Sequence, residues 1–404
     1  MDLTMTMRTA LCALLGFLTF SQAVQANQNQ DNFEQEIDTV CDEVFQNEED
    51  VCFSRTDNDS TVTAQVTPEE ESALYTSLVQ ISGDQVSNVS NHLVGLRRQH
   101  NASNTSSASS AAIRPHYYGG AAGGELFANS RLSAFFSGSV VDGDQDNTGY
   151  EVGYDLSTDH YTLGVDLQLN PEWLVGLAYG ATETELKYSS EFDDRTENDS
   201  DHYLLYASWY RRNFAVDMTL GYSSGEFETQ RQLPDAMATG TTDNDMMYIS
   251  LSGAYDFSQG GWTYGPLAKF DYLDGQIDGF AEQGASAWKA EFDDQDVQSS
   301  IFTMGGQVAY AHSFNWGVVL PYAQGVWRYE LEDERDLIVG RFSVNPGEDF
   351  TITPDEPDSS WFEVSAGLSA VFPYGISAFV SYEQVLGYAD TDLATVSAGA
   401  RLEF

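Results

Sequence analysis

A possible nucleophile lies in the segment Gly221-Tyr222-Ser223-Ser224-Gly225, which has the G-x-S-x-G spacing of a nucleophile elbow. That pattern works only where a strand turns sharply into a helix and exposes the serine hydroxyl. Here the motif lies in an alternating run that begins at Phe214, and such a run predicts a continuous strand. We therefore predict no catalytic residue, and the sequence contains no pattern that indicates a cofactor.

A second group of residues that could take part in chemistry is Asp142, Asp144 and Asp146, which have the spacing of the first ligands of a calcium loop. Such a loop requires a glycine where this chain has Asn147, and a bidentate glutamate at its end. Neither requirement is met. The sequence therefore predicts a flexible acidic surface loop rather than a metal site.

The end of the chain indicates what kind of structure positions these residues. From Thr391 to Phe404, apolar and polar side chains alternate, and Ala400, Leu402 and Phe404 end the apolar row. A period of two gives a strand one apolar and one polar face. A terminal aromatic residue on a strand of small residues favours a membrane barrel, with the apolar face toward lipid and the polar face toward a wet lumen. We interpret these residues as the strand that closes the barrel and supports its assembly.

Similar alternating runs recur from residue 131 onward, near 131–141, 161–169, 173–188, 201–210, 214–222, 246–257, 262–274, 298–312, 316–330, 361–372 and 376–386. With the last strand, the count is about twelve, an even number as in bacterial barrels. Short connections alternate with long acidic ones at 189–200, 229–244, 276–295 and 331–358. This matches periplasmic turns and extracellular loops. The fold class predicted is an all-β, antiparallel transmembrane barrel over residues 131–404.

Tryptophans support this orientation. Trp173, Trp262 and Trp316 each follow a short connection, as an aromatic girdle at the periplasmic interface requires. Lys and Arg together number 17 against 63 Asp and Glu, which gives a net charge of −46. Nucleic acid is therefore not expected as a partner, because its phosphates need Lys and Arg.

Residues 1–26 read as a secretory signal peptide, with Arg8 before a short apolar core and a cleavage site after Ala26. Residues 27–66 form a short acidic head. Cys41 and Cys52 lie within it, and an even pair of cysteines in an exported chain predicts a disulfide. The expected location is the bacterial outer membrane.

Residues 67–98 are predicted to form a helix. Thr67-Pro68-Glu69-Glu70 resembles a capping box with proline at the first helical position, and apolar residues follow at helical spacing. Arg97 and Arg98 are placed at its C-terminal end, where cations complement the helix dipole. Residues 99–130 are predicted to be a linker rich in Ser, Ala and Asn.

Three segments together resemble autotransporter β-domains. The first runs from Tyr154-Asp155 through T-L-G-V-D-L-Q-L-N-P-E-W-L-V-G-L-A-Y-G, which ends at Gly180. The second is Leu78 to Asp84, which reads L-V-Q-I-S-G-D, and the third is the final Arg401 to Phe404. The resemblance covers roughly residues 67–404 and implies a twelve-stranded barrel with the N-terminal helix threaded through the pore. In that family the barrel helps to deliver an upstream passenger to the cell surface.

The resemblance also implies contacts inside the pore. Asp166 and Asp217 fall on the polar rows of their strands. Arg97 and Arg98 lie on the implied pore helix, and a confined lumen would strengthen pairing between these charges. The expected partners are outer-membrane lipid, the barrel assembly machinery and periplasmic chaperones, with the barrel acting as a monomer.

Only about forty residues separate the predicted signal from the helix, too few for an enzyme domain or a large passenger. The main functional hypothesis is therefore an autotransporter-type barrel, not an enzyme, that anchors or translocates a very short N-terminal segment. A plugged pore or structural outer-membrane protein without cargo is the alternative. A membrane-embedded hydrolase is the second alternative.

Overall fold

The computed structural model describes residues 67–105, 131–190, 194–233, 236–332, 335–356 and 358–404, with side chains of the helix as far as Arg98. The predicted signal peptide, the acidic head with Cys41 and Cys52, and most of the predicted linker lie outside these residues. No helix within the described ranges is both long enough and apolar enough to cross a membrane.

The described part of the chain forms a closed antiparallel barrel of twelve long strands. These are β1 Arg131–Gln145, β2 Tyr154–Asn170, β3 Trp173–Tyr188, β4 Arg195–Arg211, β5 Phe214–Gln232, β6 Met237–Tyr255, β7 Trp262–Ile277, β8 Gln295–Tyr310, β9 Gly317–Glu330, β10 Ser360–Val371, β11 Ile376–Leu386 and β12 Thr391–Glu403. Neighbouring strands pair in chain order, and β12 closes the barrel on β1, with Ala400 opposite Phe136. The fold predicted from the alternation is confirmed.

Alternation separates the lipid-facing and lumen-facing surfaces. On β2, Leu163 and Val165 are exposed on the outside, while Thr162 and Asp166 are buried toward the lumen. On β12, Val396 and Leu402 are exposed and Ser397 is buried. Apolar side chains that would be costly to expose to water are suited to lipid, so the outer surface of the barrel is its membrane-facing surface.

An aromatic girdle surrounds the end of the barrel with the short turns. Trp173, Trp262 and Trp316 are all exposed there. The rings of Trp173 and Trp209 lie 6.4 Å apart, and those of Trp316 and Phe372 lie 5.6 Å apart. Because aromatic side chains favour the membrane–water interface, this end marks the periplasmic boundary and the long connections lie at the extracellular end.

Several strands extend much farther toward the extracellular end than the alternation predicts. The predicted loop at 189–200 shrinks because β4 begins at Arg195, and the predicted loop at 229–244 shrinks because β5 ends at Gln232 and β6 begins at Met237. Most residues of these extensions are polar on both faces of the strand, so a hydropathy pattern does not detect them.

The extensions carry a row of carboxylates on the outer surface. The residues pair directly across five neighbouring strands in the order Asp159, Glu183, Asp199, Glu226 and Asp243. Like charges directly opposite one another destabilise a sheet. This row lies above the apolar surface of the same strands, on the extracellular side of the lipid-facing belt.

Two long extracellular connections fold into a small second sheet, which we call the cap. Its antiparallel strands are Phe280–Ala281, Ala290–Phe292, Ile338–Phe342 and Phe350–Ile352. The buried core of the cap contains Trp288, Phe292, Phe342 and Phe350, and it packs against Leu233 and Ala238 at the top of β5 and β6. The predicted loops at 276–295 and 331–358 are therefore partly ordered strands. Further short strands are Phe257–Gln259, Gln283–Gly284 and His312–Phe314.

The helix, α1, runs from Ser72–Thr105 and is preceded by a 3₁₀ turn at Glu69–Glu71. The predicted capping box is wrong, because Pro68 takes the N-cap position and makes no side-chain cap hydrogen bond. The predicted end at residue 98 is also wrong. The helix continues for about two turns beyond Arg98, so Arg97 and Arg98 do not lie at its end.

Candidate functional site

The candidate site is the interface between α1 and the lumen wall. Apolar helix residues, among them Leu74, Leu78 and Leu93, are completely buried and share one hydrophobic cluster with wall residues such as Phe135 and Leu174. Polar residues of the helix make specific contacts with the wall and the connections at three levels. Helix and barrel therefore form one packed unit.

At the middle level, Gln85 binds two neighbouring strands. Its amide nitrogen donates to Thr182 Oγ1 at 3.0 Å, and its amide oxygen accepts from Thr162 Oγ1 at 2.9 Å. One turn farther on, Asn88 Nδ2 donates to Ser139 Oγ at 3.2 Å. These buried amide hydrogen bonds fix the depth and rotation of the helix, since an unpaired buried partner costs about 1–3 kcal/mol.

A glycine allows this close approach. A Cβ atom on Gly180 would lie 2.6 Å from Gln85 Oε1, a distance that real Cβ contacts do not show. Gly180 belongs to the glycine-rich segment that supported the family resemblance. Its function at this position is to leave room for the helix side chain.

A chain of polar groups continues from the helix around the wall. Asp84 Oδ2 lies 3.4 Å from His160 Nε2. His160 Nδ1 lies 2.8 Å from Thr182 Oγ1, and this hydroxyl lies 3.1 Å from His202 Nε2. The two histidines are fully buried, so this chain connects the helix to β2, β3 and β4.

At the periplasmic level, Arg97 forms the predicted kind of ion pair. Its guanidinium lies 3.0 Å from Asp217 on β5, and its Nε lies 3.5 Å from Asp256 in the connection between β6 and β7. All three side chains are more than nine-tenths buried. The structure thus brings together Arg97 and Asp217.

The other two predicted contacts differ from that expectation. Arg98 forms no ion pair within 4 Å of a carboxylate of the described residues; its guanidinium lies over the ring of Tyr322, 3.8 Å from the centroid. This is the geometry of a cation–π contact. Asp166 is bound by His92 at 3.0 Å and by Arg401 at 3.3 Å, and not by either helix arginine.

His92 is a helix contact that the sequence did not identify. Its Nε2 lies 3.1 and 3.0 Å from the two oxygens of Asp166. Because an ionised carboxylate only accepts hydrogen bonds, this nitrogen carries the hydrogen. The imidazole also stacks on Phe135, with ring centroids 3.7 Å apart. The available sequence signal was the recurrence of Gln85, Asn88 and His92 at helical spacing, on the same face of the helix as the apolar stripe.

At the extracellular level, a connection folds back onto the start of the helix. Arg335 donates to Thr76 Oγ1 at 3.1 Å and lies 4.5 Å from the ring centroid of Tyr75. It also lies 3.7 Å from Glu151. The hydroxyl of Tyr75 donates to the carbonyl of Gln298 on β8. The start of the helix is therefore held by the loops as well as the wall.

The predicted assembly residues lie where expected on β12. Ala400, Leu402 and Phe404 face outward, and Phe404 is 70% exposed. The backbone amide of Phe404 donates to the carbonyl of Leu132 at 2.8 Å, which secures the end of the chain to β1.

The structure places Ser223, Asp142 and Asp144 of the two possible chemical motifs within strands. Ser223 is buried within β5, and His202, its cross-strand neighbour, directs Nε2 toward Thr182 instead. Asp142 and Asp144 lie in β1, so the predicted flexible loop is wrong at these two positions. Among the described residues, no group of three or more His, Cys, Asp or Glu is arranged to hold a metal.

Comparisons with known proteins agree with this architecture. The family model "Autotransporter beta-domain" matches residues 134–383. Esterase EstA of Pseudomonas aeruginosa is 25% identical over 259 residues, which are 62% of this chain and 39% of EstA. The chain therefore spans about two fifths of the length of this relative.

Two solved structures share the fold. The translocator domain of the autotransporter NalP from Neisseria meningitidis superposes with a TM-score of 0.54 at 15% identity, covering 67% of this chain and 88% of that domain. The β-domain of the Bordetella autotransporter BrkA gives 0.52 at 16% identity, covering 68% and 100%. With a plugged twelve-stranded barrel and a family match over most of the barrel, this chain belongs to the autotransporter β-domain family of the bacterial outer membrane.

Proposed function

We propose that the barrel anchors a short N-terminal segment, residues 27–66, at the cell surface after passage through the pore. The observation that supports this most directly is the direction of α1. Its first residues contact the extracellular connections through Arg335, while Arg97 contacts Asp217 and Asp256 at the periplasmic end. A chain that enters this helix at Ser72 therefore comes from the extracellular side.

The packing of the helix supports retention rather than transient passage. Buried hydrogen bonds and ion pairs at three levels, together with the shared apolar cluster, all hold α1 in place. Breaking a buried ion pair alone costs about 3–5 kcal/mol. In this proposal the helix is the permanent link between the membrane barrel and the segment outside.

The location of residues 27–66 distinguishes this function from the alternative, a plugged pore or structural protein without cargo. We expect an antibody raised against 27–66 to bind intact cells that express the full chain. An epitope inserted in the periplasmic turn at 373–375 should react only after permeabilisation. Reactivity of 27–66 that also requires permeabilisation, or that is found only in culture medium, would contradict surface anchoring.

We further propose that the barrel reaches the membrane as other outer-membrane barrels do, with periplasmic chaperones and the barrel assembly machinery as partners, and that it acts as a monomer in outer-membrane lipid. The exposed apolar row on β12 and the exposed aromatic girdle support this proposal. Both are surfaces that require shielding from water before insertion.

The similarity to EstA raises the question of ester hydrolysis, because that relative is named an esterase. We propose that the barrel of this chain catalyses no such reaction. Ser223 lies in the middle of β5 and not at a strand-to-helix turn, and its hydroxyl has no hydrogen-bond partner among the described residues. An activated serine needs an adjacent base that accepts its proton.

We therefore expect the purified full-length chain in detergent to hydrolyse p-nitrophenyl butyrate no faster than a matched Ser223→Ala variant does. The comparison removes background from the detergent and from contaminants. Hydrolysis by the unaltered chain that disappears in Ser223→Ala would overturn this proposal and support the membrane-embedded hydrolase.

A further inference from the structure

The cap lies near the turn that precedes the pore helix, because Glu282 in the cap connection interacts electrostatically with Glu70 and Glu71 in that turn. Glu282 connects the cap to the barrel wall, because it lies in the connection that forms the cap and accepts two hydrogen bonds from Arg231 on β5 at 3.0 and 2.7 Å. The backbone amide of Ala290, in a strand of the cap, donates to the same carboxylate at 2.7 Å. The side chains of Arg231 and Glu282 are almost completely buried. The ion pair therefore fixes the cap to the top of β5.

The 3₁₀ turn before α1 places further carboxyl groups near this ion pair. Glu70 and Glu71 both interact electrostatically with Arg231 and Glu282, and Asp194 also faces Glu70. Glu69, in the same turn, is buried as well. Among the described residues, the Arg231 guanidinium thus lies near several carboxyl groups, on the extracellular side of the membrane-spanning segments. Tyr188 also faces this group, because its hydroxyl donates to the carbonyl of Glu70 at 3.0 Å.

Two of these carboxyl groups have oxygens without a hydrogen-bond partner among the described residues. They are Glu70 Oε2 and Glu71 Oε2, both inaccessible to solvent, and Glu71 is 3% exposed as a residue. Burial raises the pKa of Glu70 to about 8 and the pKa of Glu71 well above its usual value, although Arg231 lowers both. A buried carboxyl in such surroundings binds a proton rather than remaining ionised.

We propose that protons bound by Glu70 and Glu71 hold the cap closed over the start of the pore helix, and that the extracellular mouth loosens as the pH rises. In the closed state the protonated groups remain buried beside Arg231 and Glu282. When they ionise, they repel Glu282 and Asp194 and require water, which only an open cap supplies.

The direction of the pH dependence follows from the raised pKa values. In an open cap, Glu70 titrates near its ordinary pKa of 4.5, and in the closed cap near 8. The closed state binds more protons between these values, so its stability is greatest below about pH 4.5 and falls until about pH 8. Each pH unit in this window changes the opening constant by up to about tenfold for one group.

Hydrogen exchange of the refolded full chain tests this proposal. We expect the protection factors of residues 280–292 and 338–352, corrected for the intrinsic effect of pH, to fall by about tenfold or more between pH 5 and pH 8.5. In the double variant Glu70→Gln/Glu71→Gln, the same segments should remain protected throughout. Residues 204–210 of β4 provide the internal reference, because they should not change in either protein.

The matched control is Glu183→Gln/Glu185→Gln, which also removes two carboxyl groups, but from the outer surface of β3. It should keep the pH dependence of the unaltered chain. Unchanged pH dependence in the Glu70/Glu71 variant, pH-independent protection in the unaltered chain, or an equal effect of the control would each overturn the proposal. If the double variant does not show the heat-dependent gel shift of a folded barrel, the single variants Glu70→Gln and Glu71→Gln are compared in the same exchange experiment.

The pH response of the cap does not depend on which segment the barrel anchors. Its failure would leave surface anchoring intact. If residues 27–66 are not found at the cell surface, the hydrogen exchange of the cap still tests its pH dependence.

Discussion

Replacing both Arg97 and Arg98 with Glu is expected to release the pore helix and to raise the ion conductance of the inserted barrel. Arg97 is buried against Asp217 and Asp256, so the change places a third carboxylate among two that have lost their cation. Loss of one partner from a buried pair costs about 3–5 kcal/mol. At position 98, the contact of the guanidinium with Tyr322 is lost as well.

The measurements are single-channel conductance of the refolded barrel and the rate at which protease cleaves within residues 67–98. A cost of 3 kcal/mol corresponds to a rise of about 100-fold in the population of open, cleavable helix. The control is Arg131→Glu/Arg195→Glu, which reverses the charge of two arginines whose side chains are 45% and 43% exposed. Conductance and cleavage equal to those of the unaltered chain, in a correctly inserted variant, would rule out an electrostatic role for this pair.

Loss of Phe404 from the closing strand is expected to reduce the amount of barrel in the outer membrane. Phe404→Asp places a charge at the interface end of the lipid-facing row, where aromatic side chains are favoured. Deletion of residues 402–404 should have a larger effect and almost abolish insertion. It removes the pairing of Leu402 with Ala134 on β1 and with Ile376 on β11, which closes the barrel.

The amount of heat-modifiable protein in outer-membrane fractions measures this effect. Tyr374→Asp is a matched control, because Tyr374 is an aromatic residue that is 93% exposed in a periplasmic turn and outside the strands. We expect it to insert normally. Equal outer-membrane levels for Phe404→Asp, the deletion and the control would show that the closing strand does not need its terminal aromatic residue.

The sequence predicts the membrane-embedded half of the barrel well because lipid imposes a simple rule there. An apolar residue such as Leu163 must alternate with a polar residue such as Thr162, and this contrast is visible without any knowledge of tertiary contacts. Above the membrane the contrast disappears. In β4, Thr196 and Asn198 face inward and Glu197 faces outward, so the strand continues without a hydropathy signal.

The cap was not predictable for a different reason. Its strands at Phe280–Ala281 and Phe350–Ile352 belong to one sheet although about seventy residues separate them. The acidic composition of both connections indicated loops, while Trp288 and Phe342 were the residues that supplied a core. Only the meeting of the two connections over the barrel makes that core possible.

The interior site was predictable in kind but not in detail. Arg97 and Asp217 meet because one lies on the helix and the other on an inward row, which the alternation and the family resemblance together indicate. Whether Asp166 meets Arg98 or His92 depends on the rotation and depth of the helix. Those are set by Gln85, Asn88 and the space above Gly180, which are tertiary contacts.

The row of carboxylates on the outer surface of β2 to β6 makes the height of the barrel wall sensitive to ionic strength. Asp199 and its neighbours Glu183 and Glu226 pair directly across strands, and their mutual repulsion opposes the hydrogen bonds of the same ladder. The Debye length shortens from about 10 Å in 0.1 M salt to about 3 Å in 1 M salt. Concentrated salt therefore weakens the repulsion and stabilises the extended strands, whereas dilute medium favours fraying from their extracellular ends.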